Sequence, residues 1–167
     1  MAVMEITKIG HEVLRKKAEP VQKITKKTQT LIRDMIETMY AAEGVGLAAP
    51  QVGLSERIII IDIGDGPIAM VNPEIIAHEG SEIDVEGCLS IPGRHGYVKR
   101  WLETTVQFLD EKGKPHRMVT NGLLSRAIQH ELDHLNGVLF VDIMLEEAKL
   151  RSEDETSDEE YQQQESG

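Results

Sequence analysis

Four consecutive isoleucines at positions 58–61 constrain the fold more than any other feature of this chain. A short, continuous run of β-branched residues bounded by turn-prone sequence predicts a buried strand. The turn-prone sequence after the run is GDGP at 64–67. Further strand-like segments follow it at 68–71, 74–78, 104–109 and 116–119. The middle of the chain is therefore predicted to form antiparallel β structure.

Two helices are predicted on either side of this β region. Apolar residues recur at helical spacing over residues 28–42, and Gly44 follows where a left-handed C-terminal cap would lie. A second helix is predicted over 121–136, capped at its start by an Asn and ended by Gly137. Residues 44–53 are so rich in Gly and small side chains that a loop is expected there. The expected fold class is α+β, with an N-terminal helix and antiparallel sheets packed around the second helix.

Length and charge indicate one folded domain followed by an acidic extension. The 167 residues fit a single hydrophobic core, because compact domains usually contain about 50–250 residues. We assign this domain to residues 1–150, with a short helix expected beyond Val141. Residues 151–167 contain seven acidic side chains and one Arg, so they carry −6 of the formal net charge of −11. Having few apolar residues to offset the entropy of ordering, they are predicted to form a flexible tail.

Composition argues against several classes of function. The chain has no basic patch, so direct nucleic-acid binding lacks electrostatic support. No apolar run reaches the roughly 18–20 residues of a membrane span, and the N-terminal residues lack the apolar stretch of a signal peptide. The single cysteine cannot form an intramolecular disulfide, which fits a reducing compartment. We therefore expect a cytoplasmic protein that binds neither nucleic acid nor membrane.

The HELDH sequence at 130–134 is the strongest chemical signal on the second helix. His130 and His134 lie one helical turn apart, so both imidazoles can reach one metal ion, and Glu131 projects beside them. A lone histidine would more often be a hydrogen-bonded core or surface residue. The pairing at i and i+4 with an intervening Glu favours metal binding instead. A catalytic site of this kind normally needs a third protein ligand.

Several residues compete for the position of third ligand. The extended HExxHxxGxxH pattern would place a His at position 140, where this chain has Phe140. Glu146 or Glu147 would complete a thermolysin-like site. Cys88, the single thiol, lies in a Gly-containing loop between strand-like segments and is the better candidate, although an isolated cysteine is more often a small buried hydrophobe.

Three segments together resemble the signature motifs of the peptide deformylase family: GVGLAAPQ at 44–51, EGCLS at 86–90 and QHELDH at 129–134. They occur in the family's order, and the similarity covers nearly all of residues 5–145. The resemblance implies a hydrolase that removes the formyl group from the N-formylmethionine of newly made bacterial or organellar polypeptides, releasing formate. Its partners would be N-formylmethionyl nascent peptides, with at most transient proximity to the ribosome. We also expect a monomer in a bacterial cytoplasm.

The resemblance further implies a ligand set and a catalytic acid–base residue. Cys88, His130 and His134 would bind one divalent metal ion. Ferrous iron is the family's usual metal, and Zn²⁺, Ni²⁺ or Co²⁺ can occupy the same site. Metal-bound water would attack the formyl carbon, with Glu131 as general base and then as general acid.

Substrate contacts are implied by the same resemblance. Gln51 and the backbone N–H of Leu89 would face the developing oxyanion. The backbone at Val45 and Gly46 would pair with the substrate as an added strand. An apolar pocket for the methionine side chain would be walled by Val45, Leu123, Ala127 and the ring of His130. Without the neighbouring motifs, Gln51 would be interpreted as a solvated loop residue.

Three further features were compared with the family pattern, and one of them, the C-terminus, clearly differs from some members. Arg94 and His95 lie at or beside a position where some members carry a substrate-binding Arg, which leaves their role open. Glu86 and Arg100 resemble a structural ion pair that supports the Cys88 loop. The short acidic C-terminus differs from the longer basic helix that some members use for ribosome docking, and it would repel ribosomal RNA.

Two other functions stay open from the residues alone. A zinc endopeptidase would use a downstream Glu as third ligand and would tolerate the loss of Cys88. A non-catalytic module would use the metal only to stabilise the fold, and would tolerate the loss of Glu131.

Overall fold

The structure, a computed structural model, describes residues 2–148, and within that range six strands form one antiparallel sheet. The strands are β1 (Gly46–Ala48), β2 (Ile58–Ile61), β3 (Ile68–Cys88), β4 (Ile91–Leu109), β5 (Pro115–Asn121) and β6 (Glu146–Ala148). They are ordered β1-β2-β3-β4-β5, and β6 pairs with the start of β4. The helices are α1 (Lys26–Ala41), α2 (Gly122–Leu135) and the short α3 (Phe140–Ile143). The predicted α+β class with antiparallel strands is confirmed.

The four isoleucines of β2 form the centre of the fold, and each is fully buried. Ile59 and Ile61 belong to the apolar cluster that includes α2, whereas Ile58 and Ile60 belong to the cluster that includes α1. Successive side chains of a strand point to opposite faces, so one helix covers each face of β2. The run is continuously apolar because the strand has no solvent-facing side. Burying each isoleucine contributes about 1.5–3 kcal/mol.

Helix α1 begins and ends with identifiable capping contacts. At its start, the hydroxyls of Thr25 and Thr28 each accept a hydrogen bond from the other residue's backbone N–H. At its end, the N–H of Gly44 donates to the carbonyl of Met39 (2.9 Å), and Glu43 is the left-handed residue, with φ of 56°. The prediction that Gly44 is the left-handed cap is therefore wrong. Gly44 is small for a different reason: a Cβ there would lie 2.7 Å from the Leu89 side chain.

The predicted loop at 44–53 contains regular structure. Residues 46–48 form β1, which pairs with β2, and Ala49–Val52 forms a 3-10 helix. Gly and Ala are poor strand formers, which is why composition indicated a loop. Pairing with the outer edge of the isoleucine strand satisfies the β1 backbone and overrides that local preference. The prediction of a loop is wrong for these residues.

The β3–β4 hairpin is longer than the short strands predicted from the sequence. The predicted strands at 68–71 and 74–78 are parts of one strand, and the strand at 104–109 is the end of another. Irregularities in the pairing occur between Val71 and Glu74 and between Ile75 and Ala77. Residues 76–84 are solvent-exposed, so they lack the apolar alternation that marks a half-buried strand. Their pairing with β4 comes from the backbone rather than from a side-chain pattern.

Helix α2 ends as predicted, at a glycine. Gly137 has φ of 75°, its N–H donates to the carbonyl of His134, and the next N–H donates to the carbonyl of Asp133. Asn121 occupies the predicted N-cap position, although its side chain makes no capping bond among the described residues. The helix predicted beyond Val141 begins at Phe140. The predicted tail at 151–167 lies outside the described residues.

The helices were also compared with the requirements of a membrane span. None in residues 2–148 has the length and apolar character needed to span one.

Candidate metal and active site

Three metal-binding side chains converge from two elements. His130 and His134 project from one side of α2, and Cys88 ends β3 at the turn into β4. One ligand atom from each of the three residues lies within 4.8 Å of the others. The Cys88 Sγ is 3.2 Å from the Nε2 of His134. Distances of this size fit three ligands around one ion.

The chemistry of these donors suits a divalent cation. The Nδ1 of His130 is 2.8 Å from a carboxylate oxygen of Glu86, which leaves its Nε2 lone pair for a metal. His134 is buried, and burial holds its pKa well below its usual value, so the imidazole stays neutral as a ligand must. Its Nδ1 is buried without a hydrogen-bond partner among the described residues. A cysteine thiolate and two imidazoles are donors of the kind found in catalytic three-ligand sites.

Cys88 is favoured over the downstream carboxylates as third ligand. Glu147 forms an ion pair with Arg94 at the surface, and Glu146 is exposed on β6. Phe140, at the position of the third His in the extended pattern, is buried with its ring 6.2 Å from the ring of His130. Within residues 2–148, neither Glu146 nor Glu147 therefore completes a thermolysin-like arrangement.

Glu131 is a buried carboxyl beside the ligands. It is 3% exposed, its Oε1 lies 3.7 Å from the Nε2 of His130, and its Oε2 has no hydrogen-bond partner among the described residues. Burial raises the pKa of Glu131 to about 7. A carboxyl with a pKa in that range can both accept and release a proton near neutral pH. A Cβ at Gly46 would lie 3.1 Å from the Glu131 side chain, so the glycine allows β1 to pass directly over this carboxyl.

Gln51 is buried and oriented, contrary to the interpretation of a solvated loop residue. Its Oε1 accepts a hydrogen bond from the N–H of Ala48 at 2.9 Å. This contact turns the Nε2 towards the metal ligands, 3.4 Å from the Cys88 Sγ and 3.2 Å from the Ser90 hydroxyl. An amide donor therefore faces the same space as the three ligand atoms.

A cavity of about 380 Å³ opens beside these residues. Its lining contains every residue predicted for catalysis or substrate contact, together with two of the metal ligands: Val45, Gly46, Gln51, Cys88, Leu89, Leu123, Ala127, His130 and Glu131. His95 lines it as well, whereas Arg94 pairs with Glu147 instead. A larger cleft of about 820 Å³ lies on another side of α2, around Trp101 and Asn136, and includes none of the three ligands. The smaller cavity is therefore the candidate active site.

Sequence reasoning found the ion pair between Glu86 and Arg100 but not its connection to the site. The pair is present at 2.8 Å, and the same carboxylate contacts His130. Arg126 and Ser90 were also missed. Two spacing signals point to these contacts: Glu86 lies two residues before Cys88 on a strand, and Arg126 lies four residues before His130 on a helix, so each pair shares a face.

Comparison with known proteins gives a consistent result. Residues 3–149 match the family model described as polypeptide deformylase. The peptide deformylase of Halothermothrix orenii is 58% identical over 144 residues, which is 85% of this chain and 94% of that protein. Peptide deformylase 1 of Clostridium acetobutylicum is 54% identical over 87% of this chain and 97% of its own length.

Solved structures agree with the sequence comparisons. The crystal structure of the Thermotoga maritima peptide deformylase superposes with a TM-score of 0.85 at 42% identity, covering 86% of this chain and 99% of that one. The Synechococcus elongatus enzyme, solved in complex with actinonin, has a TM-score of 0.83 at 47% identity, covering 84% of this chain and 78% of that one.

Proposed function

Because this chain belongs to the polypeptide deformylase family and is a peptide deformylase, we propose that Glu131, Gln51 and Leu89 carry its reaction in the cavity described above. The substrate class is the formylated amino terminus of nascent peptides, and the products are formate and a free amine. The observation that carries the assignment is the convergence of the Cys88, His130 and His134 ligand atoms with a buried carboxyl and an oriented amide.

Cys88, His130 and His134 would hold one divalent ion. When bound, that ion supplies Lewis acidity, which polarises the formyl oxygen and makes water more acidic. The protein's task is then to move one proton and to stabilise one negative charge.

Glu131 moves the proton. Its carboxylate accepts a proton from the attacking water as the water oxygen bonds to the formyl carbon. When the bond between the formyl carbon and the amide nitrogen breaks, the same carboxyl delivers the proton to the leaving nitrogen. Its buried position with one unpartnered oxygen supports this role, because no protein donor among the described residues competes for that oxygen.

Gln51 and Leu89 stabilise the charge. As the formyl carbon becomes tetrahedral, its oxygen gains negative charge, which the Gln51 amide and the backbone N–H of Leu89 would stabilise. The bond from Ala48 to the Gln51 side chain fixes the amide before the substrate arrives. Such preorganised donors cost no rearrangement during the reaction.

Substrate orientation is assigned to β1 and α2. β1 is the terminal strand of the sheet, so the backbone at Val45 and Gly46 offers hydrogen-bonding groups to an extended peptide. The methionine side chain would enter between Val45, Leu123 and Ala127, next to the His130 ring. Val45 and Leu123 are 50% and 56% exposed, which provides apolar surface for a substrate to cover.

For the metal and the cellular context, we propose Fe²⁺ as the ion bound in the cell, with Zn²⁺, Ni²⁺ or Co²⁺ able to replace it. Ligand softness and divalent affinity orders favour zinc over iron, so metal supply must decide in favour of iron. We further propose one catalytic domain over residues 1–150, acting as a monomer in a bacterial cytoplasm. Ribosome proximity would be transient, without direct nucleic-acid binding.

The test is anaerobic purification with metal analysis, coupled to a formate-release assay on a formyl-Met peptide and on its acetylated counterpart. We expect formate from the formylated peptide and no release of acetate from the control. Absence of formate at every metal loading would contradict the proposed roles and the assignment together. Iron in the purified protein would support Fe²⁺, and zinc alone after anaerobic handling would contradict it.

A further inference from the structure

Arg126 is a buried guanidinium one helical turn before His130, and the mechanism above does not use it. Only 6% of the residue is exposed. It donates to Glu86 Oε2 at 2.6 Å and to the backbone carbonyls of Val98 and Glu82, each at 2.9 Å. Burying a charge is costly unless it is paired and hydrogen-bonded. These three contacts offset that cost, and all three lie on β3 or β4.

The Glu86 carboxylate has its full number of donors. Oε1 accepts from Arg100 and lies 2.8 Å from the Nδ1 of His130, while Oε2 accepts from Arg100 and Arg126. An ionised carboxylate offers about four acceptor positions, and here four donor atoms occupy them. The plane of the carboxylate is therefore fixed from every side, including the side that faces the metal-binding histidine.

The two arginines around Glu86 are not equivalent. Arg100 is shared, because its Nη1 also pairs with Asp133 at 2.5 Å. Within residues 2–148, Arg126 forms an ion pair with Glu86 alone. Removing Arg126 would leave the Arg100 guanidinium to pair with both the Glu86 and the Asp133 carboxylates. It would also leave one acceptor position on the Glu86 Oε2 without a donor.

Arg126 also connects the two elements that supply the metal ligands. Glu86 lies on β3 two residues before Cys88, whereas Arg126 and the two histidines lie on α2. The bonds from Arg126 to β3 and β4 therefore hold the helix against the hairpin that carries the thiol. A change in this contact would alter the position of His130 relative to Cys88.

We infer that Arg126 is a positioning residue for the metal centre, acting on His130 through Glu86. This inference rests on the ligand set assigned under the proposed function. A lysine could not replace it fully, since a single ammonium cannot reach the carboxylate and carbonyls on two strands as a planar fork does.

Measuring metal affinity tests this role independently of catalytic turnover. Arg126→Met and Arg126→Lys are compared with the wild type by Zn²⁺ competition against a chromophoric chelator, and by the visible spectrum of the Co²⁺ form. Loss of a residue that orients a ligand typically weakens metal binding about 10–100-fold, so we expect a Kd increase of at least about 10-fold for Met and a smaller one for Lys. The Co²⁺ bands should shift in Arg126→Met. The matched control is Arg15→Met, which removes a surface ion pair with Asp142 and should leave both readouts unchanged.

A double-mutant cycle separates positioning from general destabilisation. If Arg126 acts through Glu86, the Kd of Glu86→Gln/Arg126→Met should nearly equal that of Glu86→Gln alone. Additive effects, or a wild-type Kd and Co²⁺ spectrum in Arg126→Met, would overturn the inference. Should far-UV circular dichroism show Arg126→Met to be unfolded, a wild-type Kd in Arg126→Lys overturns it instead. Formate release is assayed separately, so its absence in every protein would contradict the proposed function and not this result.

Discussion

The site depends on a few residues whose surroundings give them properties they lack in water. Glu131 is the clearest case, because burial raises its pKa to about 7 and leaves one of its oxygens without a protein partner among the described residues. Gln51 is the second, because a backbone N–H holds its carbonyl oxygen and so aims its amide nitrogen at the cysteine. Neither effect follows from the residue type alone.

Replacing Glu131 with Gln should remove proton transfer while preserving the metal. General acid–base catalysis contributes about 10²–10⁴ to the rate, so we expect kcat/KM for a formyl-Met peptide to fall by that factor. Metal content and thermal stability should stay near those of the wild type, as shown by elemental analysis and a thermal melt. Unchanged turnover in Glu131→Gln would favour a site that only stabilises the fold.

Replacing Cys88 with Ala should remove both metal and activity. The thiol is the third ligand within 4.8 Å of the two imidazoles, and a two-histidine site binds more weakly. The measurement is metal per chain after dialysis, together with formate release. Glu147→Ala is the matched control: it removes the carboxylate of the zinc endopeptidase alternative, and its metal content should match the wild type. The opposite pattern would support that alternative.

At the scale of secondary-structure elements, the position of the site depends on where its helices and strands end. Gly137 ends α2, the helix that carries His134. It also packs against the backbone of the N-terminal segment. A Cβ at Gly137 would lie 2.5 Å from the carbonyl oxygen of Arg15. Gly137 also has a positive φ, so two separate constraints require glycine there.

The variant Gly137→Ala should therefore lose more stability than a variant with backbone strain alone. Gly93 has a similar φ of 80°, and a Cβ there would meet no heavy atom within 4 Å. We expect Gly93→Ala to lower the free energy of unfolding by about 1–2 kcal/mol. Gly137→Ala should cost more than that, because the backbone around Arg15 must also move. Urea denaturation of both variants tests this, and equal losses would show that the close contact is relieved without cost.

For the whole molecule, the site joins parts of the chain that are far apart in sequence. Gln51 follows β1, Cys88 ends β3, and the histidines lie on α2, and the isoleucine strand with its two covering helices holds these elements in place. β6 adds the last described pairing, with Ala148 opposite His95, which lines the cavity.

A chain that ends at residue 150 should keep full activity if the proposed domain boundary is right. All the contacts described for the site lie within residues 2–148, so we expect kcat/KM and the melting temperature to match the full chain. A chain that ends at residue 144 is the comparison, because it removes β6 and the Arg94–Glu147 ion pair. It should melt at a lower temperature. A loss of activity on ending at residue 150 would place the boundary further towards the C-terminus.

Local patterns predicted much of the fold and the centre of the site. The isoleucine strand, both main helices and the end of α2 at Gly137 follow from side-chain periodicity and glycine conformation, which act over a few residues. The spacing of His130 and His134 likewise implies a shared helix face. The third ligand was predicted less directly: the sequence made Cys88 the better candidate than the downstream carboxylates, and the family resemblance then assigned it as a ligand.

The remaining features were decided by tertiary structure. β1 is a strand because β2 offers it a free edge, and Gly44 is a glycine because Leu89 from a distant turn packs against it. The donors around Glu86 come from β4 and α2. Arg126 and His130 share a helix face, but no local pattern relates them to Glu86 or to Arg100. The isoleucine run by itself determined that a buried strand lies at the centre of this protein, because that follows from neighbouring side chains. Which groups surround the metal ligands, and how their charges balance, was decided only by packing between distant segments.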